Sequence, residues 1–236
     1  MDNEAAEGIS TYKLNELMIE DDNDLTEQIL DFLTEIEANF IYKKFDYFYK
    51  TETKSPQQRV SIAFLPENIM HLLGIKSYSI DKPIISTENR TPSYSRDFYN
   101  DFEDGCLNFE KCWVESLNKV IDKLAALKYL PEIRTENVRI GGAGDYIKLN
   151  FSNLIRTNVP ILGIAVTKTG QEHSVPISTL NLMTDKRVMQ HTAFRKAVPC
   201  TKLRVSCMLE NGSWQIQETI SFVKHIKKKK KKKKMI

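Results

Sequence analysis

Helical spacings crowd the first half of this chain and strand-like runs the second. That order points to an α+β protein, with helices packed on a mostly antiparallel twisted β-sheet and an acidic helical arm at the N-terminus. Three observations carry the expectation. Apolar residues recur at helical spacing in residues 24–39 and 109–127. From residue 137 onward, short β-prone runs follow one another with little between them. Near the end, Asn211-Gly212 separates two such runs, 203–209 and 214–222, as in a hairpin whose type I′ turn needs positive φ angles.

Residues 1–23 are polar and acidic, with Leu14, Leu17 and Met18 as the only amphipathic hint. From Asp24 the residues Leu25, Ile29, Leu30, Phe32, Leu33 and Ile36 mark a helix, with Asp24 as N-cap and Glu27 completing a capping box. Residues 40–51 read as a strand dense in aromatics. These rings have two uses, packing a core and stacking on bases. A turn at Thr53-Lys54-Ser55-Pro56 leads to a second strand, Arg59–Phe64. Pro66 then suits the first turn of a short helix and Gly74 its stop, while Ile69, Leu72 and Leu73 form an apolar face. Residues 76–95 lose periodicity and read as a long surface loop. A short helix is expected over 97–103 and a stronger one over 109–127. Strands follow at 137–140, 146–151, 161–167 and 173–178. The glycine run Gly141-Gly142-Ala143-Gly144 forms the turn between the first two, since it lacks the Gly-Lys-Ser/Thr ending of a phosphate loop. Thr184–Thr192 reads as a short helix.

Charge divides the 236 residues into three parts. Of the +3 total, eight positive charges belong to Lys227–Lys234 and a net −11 to residues 1–37, which leaves +6 on residues 38–226. The expected organisation is an acidic arm at 1–37, an α+β domain at 38–226 and a disordered poly-Lys tail at 227–236. The arm reads either as a solvated helix with a polar leader or as a shield over a cationic groove. Eight adjacent lysines can bind nucleic acid or an anionic membrane, and are also what a run of adenines encodes, so no function is built on them.

Cys106, Cys112, Cys200 and Cys207 do not form CxxC pairs, and Cys207 reads as a small core hydrophobe in a strand. No His-Glu-x-x-His, Walker, Gly-x-Ser-x-Gly or dinucleotide fingerprint occurs, nor a His/Asp cluster at metal spacing. With no leader and no apolar run of membrane-spanning length, the expected compartment is the cytoplasm, with no membrane partner. His71 stands out among four histidines, because its apolar turn fixes an imidazole beside the core, as general acid/base chemistry requires.

The run Arg59–Phe64, then Pro66-Glu67-Asn68, then His71-Leu72-Leu73-Gly74-Ile75, resembles the signature of the phage-associated barnase/EndoU/colicin/RelE-like nucleases. The helix Val120–Leu127 and the strands after it are similar to that family too, and the likeness spans about residues 38–222. It implies a barnase/RelE-like fold and a metal-independent endoribonuclease, a toxin of phage or mobile-element origin. RNA would be its substrate and an antitoxin or immunity protein a possible partner, with no cofactor and no metal. Such an enzyme needs a base for the ribose 2′-OH, a cation for the phosphate and an acid for the departing 5′-oxygen. The resemblance makes His71 the acid or base. Lys148 is the first choice for the cation because it interrupts the apolar run 146–149, and Arg139, on a strand expected to pair with that of Lys148, is the second. Arg156, just after a strand, and Lys168, at a turn, are expected to bind substrate. Val175-Pro176-Ile177-Ser178-Thr179 resembles a late family strand and offers Ser178 or Thr179 to orient the phosphate. His173 and His191 are weaker candidates. A different class of function, a non-catalytic regulatory or defence module that binds RNA or protein, fits the same basic domain.

Overall fold

The structure is a computed structural model that describes residues 10–18, 25–81, 93–146, 149–159, 161–169, 173–184 and 192–222. Six α-helices and thirteen strands lie among these residues. A short strand β1 (Tyr12–Lys13) runs into α1 (Leu14–Met18), and α2 (Leu25–Asn39) follows. The expected capping residue of α2, Asp24, lies outside the described residues. Helix α2 buries Leu25, Ile29, Phe32, Leu33 and Ile36, so the segment with the most acidic sequence also contributes to the main core.

Strands β2 (Lys43–Tyr49) and β3 (Gln58–Phe64) pair antiparallel, as expected. A 3-10 turn at Pro66–Asn68 passes directly into α3 (Ile69–Leu73). The Leu65 N–H donates to Asn68 Oδ1 at 3.1 Å. Gly74 ends the helix with φ of 83°, a left-handed backbone that glycine adopts without a Cβ penalty. Ile69, Leu72 and Leu73 are fully buried, which makes α3 a core element despite its single turn.

Residues 76–95 are not a loop throughout. Strand β4 (Ile75–Tyr78) and helix α4 (Ser93–Glu103) occupy both ends. Nor is 109–127 one helix. A 3-10 turn at Phe109–Lys111 and a strand β5 (Cys112–Val114) precede α5 (Leu117–Leu127), whose N-cap Ser116 accepts from the Lys119 N–H. The apolar run Cys112-Trp113-Val114 satisfies its backbone between β1 and β4 instead, in a three-stranded sheet. The Tyr78 hydroxyl donates to Asp101 at 2.6 Å and Lys111 reaches the same carboxylate at 3.0 Å, tying β4 to α4.

The second half holds β6 (Val138–Gly141), β7 (Gly144–Tyr146), β8 (Leu149–Phe151), β9 (Asn153–Thr157), β10 (Leu162–Lys168) and β11 (Ser174–Asn181). A helical turn α6 (Thr192–Arg195) precedes β12 (Val198–Met208) and β13 (Trp214–Ser221). The helix expected at 184–192 falls almost wholly outside the described residues. Strand β9 breaks the expected register. Strand β6 pairs with β9, while β7 and β8 make a small separate ribbon. The β12–β13 turn also differs in type: Gly212 has φ of 76° but Asn211 does not have positive φ. The Gly212 N–H donates to the Leu209 carbonyl, and the Leu209 N–H to that of Ser213. This is a type I turn followed by a left-handed glycine rather than type I′. Cys207 on β12 is half-buried.

The large sheet runs β13-β12-β2-β3-β11-β10-β9-β6, and β12 also pairs with β6. It therefore closes into a barrel, in place of the open twisted sheet that the sequence suggests. The cause is the length of β12: its first residues Val198 and Pro199 meet Ile140 and Arg139, while the rest pairs with β2 and β13. Closure between β12 and β6 leaves β13 as an edge strand, and Pro199 at the start of β12 loses no interior ladder bond. The seam lies between β3 and β11, joined in parallel only at Ile62 and Ser174. Beyond that pair β11 has no strand on this side among the described residues, and α3 and α5 pack along it.

Candidate active site

The gap beside β11 is where two of the sequence-derived candidates, His71 and Ser178, meet. A bulge decides which side chains face it. Ala165 pairs with Ser178 but Val166 with Pro176, so Ile177 is an extra residue and the in–out alternation resets there. Ser178 turns outward and is half-buried, whereas Thr179 turns into the core, 2% exposed, its hydroxyl without a hydrogen-bond partner among the described residues.

Lys123 of α5 fills the gap. Its ammonium donates to the His71 carbonyl at 2.7 Å and to Ser178 Oγ at 3.3 Å. The Ser178 hydroxyl passes the chain of bonds on to the Thr179 carbonyl. Gly74 shapes this contact, because a Cβ there would lie 3.1 Å from Lys123 Cδ. The preceding residue on the same helix, Asp122, offers its carbonyl to Asn181 Nδ2 at 3.0 Å, so α5 is pinned to β11 twice. Arg96 of α4 bonds Glu67 beside the start of α3. The half-buried His71 thus sits at a corner held by three helices and a strand.

Around this corner the charge is positive. Lys76 lies 3.3 Å from Glu115, and Lys119 bonds the same carboxylate. Two lysines share one acid, and Lys123 adds a third cation. Desolvation, reinforced by repulsion from Lys76 and Lys119, brings the Lys123 pKa down from 10.5 to about 7, with Glu115 opposing. Partial burial works against ionising Glu115, but the bonds and charges of Lys119 and Lys76 outweigh it and hold its pKa below the usual value. A lysine that exchanges its proton near neutrality, next to a hydroxyl and two further cations, is equipped to move a proton beside an anion.

Lys123 is the residue that sequence reasoning misses, since it looks like an ordinary polar position in an apolar helix. Its signal is its spacing: it stands three residues after Val120 and four before Leu127, within the stripe that faces the core.

The other candidates lie elsewhere. Strand β6, which carries Arg139, pairs with β9 and not with the strand expected at 146–151. Arg139 sits directly opposite Arg156, which is inside β9 rather than after a strand. Arg139 Nη1 donates to the Glu136 and Val138 carbonyls, and Arg156 to those of Phe194, Thr157 and Asn158. Desolvation lowers both pKa values, and for Arg156 the charge of Arg139 adds to it. Strand β10 separates this pair from β11. Lys168 is exposed at the end of β10 and lines an open cleft with Tyr49, Arg59 and Asn153. Lys148 and His191 lie outside the described residues. His173 packs edge-on against Trp214.

Among the described residues, no group of three or more His, Cys, Asp or Glu could hold a metal ion, and no helix is long and apolar enough to cross a membrane. Comparison with known proteins found no match among curated proteins or solved structures. A family model does match, over residues 28–235: that of the phage-Barnase-EndoU-ColicinE5/D-RelE like nuclease4 group. That match takes in most of α2 and the whole barrel, and with them His71, Lys123 and Ser178. By it, the chain belongs to this family of phage-associated nucleases.

Proposed function

We propose that the protein is a metal-independent endoribonuclease that acts as a phage or mobile-element toxin, restrained in its host by an antitoxin or immunity protein. The observation that carries the reading is the Lys123 ammonium, bonded at once to the His71 backbone and the Ser178 hydroxyl in a lysine-rich corner. In this reading a ribose 2′-OH attacks the adjacent phosphorus and loses its proton to neutral Lys123. The P–O5′ bond breaks, protonated His71 gives its proton to the leaving 5′-oxygen, and a 2′,3′-cyclic phosphate remains. Ser178 donates to a non-bridging oxygen, while Lys76 and Lys119 stabilise the charge that gathers on the phosphate. The site would take RNA rather than DNA, because the nucleophile is the 2′-OH.

The test is cleavage of bulk RNA by purified protein in excess EDTA, compared with His71→Ala. The reading expects cleavage by the unaltered chain and its loss in the variant. Equal inactivity of both would remove the enzyme and leave the binding-module alternative.

A further inference from the structure

Away from the candidate active site, the outer face of the barrel carries a second set of side chains. On β2 the alternation sends Phe45 and Tyr47 inward and Lys44, Asp46 and Phe48 outward. The register sets Lys202 opposite Phe48, Arg204 opposite Asp46 and Arg59 opposite Phe48 on its other side. Lys202 Nζ lies 5.1 Å from the Phe48 ring centre and Arg204 Cζ 5.3 Å. Lys44 Nζ lies 5.0 Å from the ring of Trp214, which meets His173 at 5.9 Å. Four cations therefore share this face with two half-exposed rings. The carboxylate among them, Asp46, is 3% exposed and already bonded by Ser61, with Arg204 at 3.9 Å.

We infer that this face is a binding platform for single-stranded nucleic acid. The exposed charge of this set is all of one sign, which fits a polyanion. Flat rings paired with cations are what unstacked bases pack against, a feature an acidic peptide does not need. Strand β11 connects platform and corner: His173 beside Trp214 and Ser178 beside Lys123 are five residues apart, about 17 Å of strand. A strand of a few nucleotides spans that distance. This last step, delivery of the strand for cutting, rests on the proposed ribonuclease reading; binding itself does not.

The experiment titrates the full chain with a labelled 12-nucleotide DNA oligomer, which has no 2′-OH to react, over a range of salt. Lys44→Gln with Lys202→Gln is expected to weaken binding about tenfold and to reduce the salt slope by about 1.4, roughly 0.7 for each phosphate no longer neutralised. The oligomer should also quench Trp214 emission, and Trp214→Leu should abolish that quenching while the emission of Trp113 persists. Polyglutamate should not quench. An unchanged affinity and slope in the double variant, or quenching by polyglutamate as strong as by the oligomer, overturns the platform. A chain that cuts RNA with no such loss of binding fails the platform alone, and one that binds as expected without cutting fails the ribonuclease reading alone.

Discussion

A lysine in the core-facing stripe of a helix is an unfavourable place for a charge, and the Lys123 ammonium responds by giving up its proton near pH 7. Between pH 7 and 10.5 the unfolded chain holds a proton on this residue that the folded chain has released. Stability should therefore rise as pH climbs through that window and should be insensitive to Lys123 on either side of it. Denaturant midpoints measured from pH 6 to 10 should show that rise, and Lys123→Met should flatten it. Two neighbours on β11 separate site from scaffold. Ser178→Ala should cut RNA cleavage by about a hundredfold, on the order of a lost oxyanion donor, with little change in melting temperature. Thr179→Val removes a buried hydroxyl that has no partner among the described residues, and should gain about 1 kcal/mol of stability without changing cleavage. Gly74→Ala should do harm by two routes. A left-handed backbone costs an L-residue about 1–2 kcal/mol, and the new Cβ presses on Lys123.

Elements are legible where a local period sets them and illegible where pairing does. The helix ending at Asn39, the strand ending at Phe64 and the His71 turn can be read from spacing, Pro66 and Gly74, because each is decided by neighbours in sequence. The run 109–127 misleads because its apolar residues fit a helix equally well; β5 is decided by its pairing with β1 and β4, both more than thirty residues earlier in the chain. Strand β9 is missed since Ser152 and Asn153 look like a turn, and with it goes the true partner of Arg139. The bulge at Ile177 is the same kind of event. Alternation alone cannot tell whether Ser178 or Thr179 faces out, and one extra residue settles it. Deleting Ile177 should remove the bulge and leave Ser178 outward opposite Ala165 and Thr179 inward, so RNA cleavage should survive, which an assay beside a circular dichroism melt can check.

At the scale of the whole molecule, closure of the barrel rests on a few contacts: Val198 and Pro199 with β6 on one side, Ser174 with Ile62 on the other. Nothing in local sequence announces contacts so sparse and so distant, which is why an open sheet is the natural expectation. The sparse seam leaves the gap that α3 and α5 fill, so the corner around Lys123 is a product of topology. The acidic N-terminal segment likewise has two sides. In α2 the acidic side chains point away from the core, while Leu25, Ile29, Phe32, Leu33 and Ile36 lie within it. Removing residues 1–37 should abolish cooperative unfolding, as seen by calorimetry, because burial of those five side chains contributes roughly 1.5–3 kcal/mol each.

The measurement closest to the central claim is the chemistry of the RNA ends left in excess EDTA, read by mass spectrometry for the unaltered chain and for Lys123→Met. The first should leave 2′,3′-cyclic phosphate termini and the second no such product. Cleavage that survives undiminished in Lys123→Met, or ends without the cyclic phosphate, would contradict that claim.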